Sequence, residues 1–269
     1  MKLNFRKTGN GHPIIILHGL YGSSDNWFTI ARKLENNYTI YLPDARNHGR
    51  SPHNTVHTYE AMRDDLKEFI DSHKIKNPIL IGHSMGGKTA MFFAAKFPEY
   101  LRALIVVDIS PKAYMIKDQN VPGQYMTHRQ IIQAMQNVDL SKLSKRTDAE
   151  AQLSGKIPSV MVRQFLLKNL AKTKTNSYEW LLNLNALSDQ LPEIMSGLDK
   201  KAVSPGALSL PVLFIRGGKS DYIPENEVPD ITGFFPAAEI VTIPDSGHWV
   251  HAEKPGEFME KLMLFLEKI

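Results

Sequence analysis

Short apolar runs alternate with longer helical stretches through the first half of the chain. Four of them read as strands: Ile14-Ile-Ile-Leu17, Tyr38-Thr-Ile-Tyr-Leu42, Ile79-Leu-Ile81 and Leu104-Ile-Val-Val107. A run that is apolar at successive positions buries both faces, as interior strands of a parallel sheet do. Between these runs, apolar residues recur at helical spacing over residues 26–34, 59–73 and 85–97. Strand and helix in alternation require right-handed crossovers, which predicts an α/β protein with a doubly wound, mostly parallel sheet.

The alternation stops after Ser110-Pro111. From there to about residue 205 no run reads as a strand. Helical periodicity covers residues 127–138, 159–170 and 178–191, punctuated by Pro111, Pro122, Pro158 and Pro192. An all-helical cap is therefore expected over 111–205, inserted into a core made of 1–110 and 206–269. Strands resume with Val212-Leu-Phe-Ile215 and residues 238–243, and a last amphipathic helix begins near Pro255.

In such sheets the chemistry collects beyond the carboxyl ends of the strands. The third run ends in Gly82-His-Ser-Met-Gly86, between a strand and a helix, which fits the G-x-S-x-G elbow that exposes a serine hydroxyl on a strained turn. The same stretch, extended to Gly87-Lys88-Thr89, also fits a phosphate loop, with Asp108 as the magnesium-binding acid of a nucleotide triphosphatase. Features elsewhere separate the two readings. A serine hydrolase needs a histidine downstream and an oxyanion-binding turn upstream; a phosphate loop needs neither. His248 follows the last strand, and His18-Gly-Leu-Tyr-Gly22 follows the first. The hydrolase reading accounts for more of the chain. It makes Ser84 the nucleophile and His248 the base, with the backbone N–H groups of Leu20 and Met85 as oxyanion donors.

Composition narrows the field further. Across 269 residues the hydrophobic content is 42% and the net charge +4, with the basic residues dispersed. The short clusters Lys142-Leu-Ser-Lys-Arg146 and Lys172-Thr-Lys174 read as solvated faces, so no nucleic-acid partner is expected. There is no cysteine, which removes disulfides, thiolate metal sites and a cysteine nucleophile. The first residues lack the apolar segment of a signal peptide, and no run approaches the roughly 18 apolar residues of a membrane helix. A cytoplasmic protein without a membrane partner, cofactor or catalytic metal is expected. His53 and His57 have metal-like spacing but no carboxylate partner.

Taken together, His18-Gly19, Asp44-Ala-Arg-Asn-His-Gly-Arg-Ser51, Gly82-His-Ser-Met-Gly-Gly87, Val107-Asp-Ile-Ser-Pro111 and Gly247-His-Trp-Val-His-Ala-Glu-Lys-Pro255 resemble the signatures of α/β-hydrolase-fold serine esterases. The combination of Asp108-Ile-Ser-Pro111, Gly217-Gly-Lys-Ser220 and His248-Trp-Val-His251 is similar to that of bacterial acyl esterases and thioesterases related to mitochondrial abhydrolase-domain proteins. The resemblance implies hydrolysis of a small-molecule acyl ester or thioester. It leaves C–C bond hydrolysis, peracid formation and pyruvate elimination as other reactions of the same fold. The acid has two candidates. Asp221, after the run at 212–215, stands where the fold usually places it and is the favoured one; Asp108, after the run at 104–107, is the alternative, with Ser220 nearby. Trp249 and Ser220 are expected at the substrate. His83 is expected beneath the elbow, Arg46 and His48 as braces of the loop after the second strand, and His251 at the surface or behind the site.

Overall fold

The structure is a computed structural model that describes residues 1–114 and 124–269. The main sheet contains β1 (Phe5–Thr8), β2 (His12–Leu17), β3 (Tyr38–Pro43), β4 (Ile79–His83) and β5 (Ala103–Val107). A separate hairpin, β6 (Leu170–Lys172) with β7 (Tyr178–Trp180), follows before the chain returns to the main sheet as β8 (Val212–Gly217) and β9 (Ala238–Ile243). The spatial order is β1-β3-β2-β4-β5-β8-β9, parallel throughout except where β1 runs antiparallel to β3. Every residue of β4, β5 and β8 is buried, as their unbroken apolar runs require. The register pairs Leu17 with Gly82, Gly82 with Val106 and Val107 with Ile215, so four strands end side by side.

On one face of the sheet lie α1 (Phe28–Leu34) and the last helix, α11 (Pro255–Leu266), over a core that includes Ile16, Ile81 and Ile215. On the other lie α2 (Tyr59–Ser72), capped by the Thr58 side chain, and α3 (Met85–Lys96). Helix α3 is buried from Met85 to Ala95, because the sheet covers one side and α2 and the inserted segment cover the rest. The insertion carries α4 (Gln124–Gln136), α5 (Arg146–Ser154), α6 (Val160–Leu167), α7 (Leu184–Asp189) and α8 (Leu191–Ile194). Its Ile132, Met135, Leu153, Leu166 and Leu187 belong to the same apolar cluster as Met91 and Phe93 of α3. The short helices α9 (Val228–Thr232) and α10 (Val250–Glu253) complete the return.

The insertion is not wholly helical. A helix was expected over 178–191, yet residues 178–180 pair with 170–172 as a hairpin. Its turn is closed by Thr173 N–H donating to the Ser177 carbonyl, with Asn176 at φ 62°, and by hydroxyl contacts among Thr173, Thr175 and Ser177. Asn183 then starts α7, its side chain accepting from Ala186 N–H, and Pro192 stands in the first turn of α8, where a missing N–H costs nothing. Three-residue strands are too short to show a period.

Candidate active site

Strand β4 turns into α3 at Ser84, whose backbone stands at φ 53°, ψ −123°, a region that side-chain-bearing residues avoid. The turn is held by Ser84 N–H to the Val107 carbonyl at 3.1 Å and Lys88 N–H to the Ser84 carbonyl at 3.0 Å. It is also very tight. A Cβ at position 82 would lie 2.3 Å from the Gly86 carbonyl oxygen, and one at position 86 would lie 2.5 Å from the His18 carbonyl oxygen. The two glycines of the motif are thus required by close backbone approach.

Asp108, directly after β5, also has positive φ, at 50°. Its carboxylate is fully buried and accepts three hydrogen bonds. Oδ1 takes Gly217 N–H at 2.8 Å; Oδ2 takes His248 Nδ1–H at 2.8 Å and the Ser220 hydroxyl. Asp221 was the favoured partner of His248, but it is exposed, and His248 Nδ1 points to Asp108 instead. Ser220 was expected at the substrate; its hydroxyl turns onto Asp108. The physical reason is register: Val107 pairs with Ile215, which brings Asp108 within reach of Gly217, the last residue of β8, and of Ser220 beyond it. Burial disfavours charge on both partners, raising the Asp108 carboxyl and lowering the His248 imidazole. With Nδ1 donating, Nε2 is the basic nitrogen of a neutral His248.

Ser84 and His248 line one cavity of about 580 Å³, together with Leu20, His128, Tyr222 and Trp249. Ile131, Val162 and Phe165 of the insertion form part of its apolar wall, and the Trp249 ring lies 5.4 Å from that of Phe165. A pocket of about 10 Å³, lined by Leu20, Ser84 and Met85 among others, adjoins the serine; that is about the room one water-sized oxygen needs. Met85 is the first residue of α3, so its N–H has no acceptor within the helix. A hydroxyl and an imidazole thus share one cavity, with a buried carboxylate behind the ring: the set of groups that a proton relay from oxygen to nitrogen requires.

The other histidines sort themselves by contact. His83, the residue before Ser84, lines the same cavity and donates from Nε2 to the His248 carbonyl at 2.9 Å. His48 accepts Tyr21 N–H at 3.2 Å, and Arg46 forms a two-point ion pair with Asp65 while donating to the carbonyls of Val56 and Ala61. His251 is buried rather than superficial, stacked on Trp27 at 4.0 Å. His57 is buried against Asn47 and Met85, whereas His53 is exposed. Among the described residues no cluster of His, Asp or Glu is arranged to hold a metal ion, and no helix is long and apolar enough to cross a membrane. Lys88, the lysine of the phosphate-loop reading, is buried between the Lys112 and Ser196 carbonyls, and Thr89 donates to the Met85 carbonyl. Neither side chain is free for a phosphate or its magnesium.

Two residues had no sequence signal. Tyr222 stacks on His248 with ring centroids 3.9 Å apart at 20°, and its hydroxyl lies 3.0 Å from His128 Nε2. A tyrosine in a loop and a histidine in a helix 94 positions away carry no local mark of joining.

A nucleophile-type elbow on a parallel sheet, with a histidine and a buried carboxylate beyond neighbouring strands, defines a class. The chain belongs to the α/β-hydrolase-fold family, whose model matches residues 12–255. It is an ester hydrolase of the esterase/lipase type. It is 38% identical to the sn-1-specific diacylglycerol lipase ABHD11 of Danio rerio, covering 98% of this chain and 81% of that protein. It is 36% identical to the esterase YbfF of Escherichia coli K12, covering 99% of each. A solved structure of an esterase from a marine microorganism superposes with a TM-score of 0.92 at 44% identity, covering 98% of this chain and 99% of that one.

Proposed function

We propose that the chain hydrolyses small and medium acyl esters, and acyl thioesters of similar size, through an acyl-enzyme on Ser84. The observation that carries this reading is the hydrogen bond from His248 Nδ1 to the buried Asp108 carboxylate, with His248 and Ser84 on the same cavity. Ser84 Oγ attacks the acyl carbonyl while His248 Nε2 takes its proton. The tetrahedral oxyanion is held by the N–H groups of Leu20 and Met85. His248 then protonates the departing alkoxide or thiolate. Water attacks the acyl-enzyme, gives its proton to His248, and the proton returns to Ser84 as the carboxylic acid leaves. Asp108 keeps Nδ1 protonated and the ring oriented, and Ser220 and Gly217 keep Asp108 in place. The segment 111–205 acts as the cap, supplying the apolar wall against which the acyl chain packs.

The test is turnover of p-nitrophenyl esters and acyl-CoAs of graded chain length by the wild type and Ser84→Ala, together with fluorophosphonate labelling. Turnover is expected to fall by about 10⁴ or more in the variant, with the label on Ser84. Retained turnover, or labelling elsewhere, overturns the assignment.

A further inference from the structure

Tyr222 lies two residues beyond Ser220, and its N–H donates to the Ser220 hydroxyl at 3.2 Å. The loop that braces Asp108 therefore also carries the ring lying flat against His248. The Tyr222 hydroxyl meets His128 of α4 at 3.0 Å, while the other nitrogen of His128 lies 3.3 Å from the Tyr21 hydroxyl. Tyr21 is the residue after Leu20, and its own hydroxyl donates to the His128 carbonyl. That donation fixes the remaining directions. His128 Nδ1–H gives to Tyr21, and Nε2 accepts from Tyr222, as a neutral imidazole can. Burial, which lowers the His128 imidazole to about 4, keeps it in that neutral form. One histidine of the insertion thus joins the turn that carries Leu20 to the loop that carries Tyr222.

From this geometry we propose that Tyr222 and His128 are positioning residues, and that the seating of α4 sets the alignment of His248 through them. The proposal rests on the reading of Ser84, His248 and Asp108 as the reacting groups. The face of Tyr222 blocks rotation of the imidazole. It also attracts the imidazolium formed when Ser84 gives up its proton, since an aromatic face favours a cation stacked against it. That attraction exists only once charge has moved, so its loss falls on kcat and not on KM. The hydroxyl link to His128 makes the position of the ring depend on the helix. A displaced α4 leaves Tyr222 and Tyr21 without their shared partner.

The experiment is a double-mutant cycle with kcat and KM measured separately on one p-nitrophenyl ester, and thermal unfolding as the check on folding. Tyr222→Phe and His128→Phe each remove the same hydrogen bond, so each is expected to lower kcat about 3–10-fold with KM nearly unchanged. The double variant is expected to fall no further than the worse single. Tyr222→Leu, which removes the ring face as well, is expected to lose more than Tyr222→Phe. His128→Gln keeps an acceptor for the Tyr222 hydroxyl and is expected to recover most of the His128→Phe loss. Wild-type kcat in both single variants, multiplied losses in the double, or equal recovery by His128→Leu overturns the proposal. Failure of the underlying nucleophile assignment shows separately, as turnover surviving in Ser84→Ala.

Discussion

Two groups of three histidines lie within the same crown of strand ends, and they differ in one respect. His18, His48 and His57 lie side by side with tilted rings, their centroids 5.2 and 5.5 Å apart. All six of their ring nitrogens are engaged within the protein: by Gly19 and Ala45, by Arg46 and Tyr21, and by Asn47 and Met85. His83, His248 and His251 lie around the cavity, with centroids 4.6 and 4.9 Å apart. Burial lowers the imidazoles in both groups, so a depressed pKa does not tell them apart. What sets His248 apart is a carboxylate behind one nitrogen and a cavity, shared with a strained serine, in front of the ring. Perturbed titration marks buried histidines in general; geometry marks the one proposed to react.

The comparison breaks most decisively at the acid. Asp108→Asn is expected to lower kcat about 10⁴-fold by reversing the tautomer of His248. Asp221→Asn, at an exposed side chain, is expected to change it less than about threefold. Comparable losses at the two positions would erase the distinction. Next in size is a stability effect that both groups share. The unfolded chain binds protons on these histidines below pH 6.5, whereas the folded chain holds them neutral to lower pH. Stability present above pH 6.5 is therefore lost as pH falls, by at most about 1.4 kcal/mol per pH unit for a histidine that stays neutral in the fold. Urea midpoints at pH 7.5, 6.5 and 5.5 check this, and a flat profile would show the rings to be charged in the fold. The smallest effect separates the bracing group by its role. His48→Leu leaves Tyr21 N–H buried without its acceptor, at a cost of about 1–3 kcal/mol. Because Tyr21 adjoins Leu20, kcat should fall as well, by about tenfold, less than the roughly 10²–10³ of a lost oxyanion donor. Loss of stability with unchanged kcat would make that group purely structural.

Much of this was legible in the chain itself. The parallel strands announce themselves because burial on both faces demands continuous apolar runs. The elbow does so because its strain and close contacts admit few residue types at positions 82 to 86. The edge strand β1 was not, since its four residues are half-buried or exposed and carry no apolar run. Nor was the hairpin β6–β7, at three residues a strand.

The acid shows the limit most clearly. Asp108 and Asp221 both follow strands of the same sheet and have the same chemistry, and no local pattern ranks them. Register sets Asp108 beside Gly217 N–H, Ser220 and His248, and a loop path leaves Asp221 in solvent. Tyr222 and His128 became partners in the same way, across 94 residues. Sequence determines what each segment can form alone, because backbone preference and burial pattern are local. Which side chains finally face one another depends on how distant segments pack, and only the folded chain decides that.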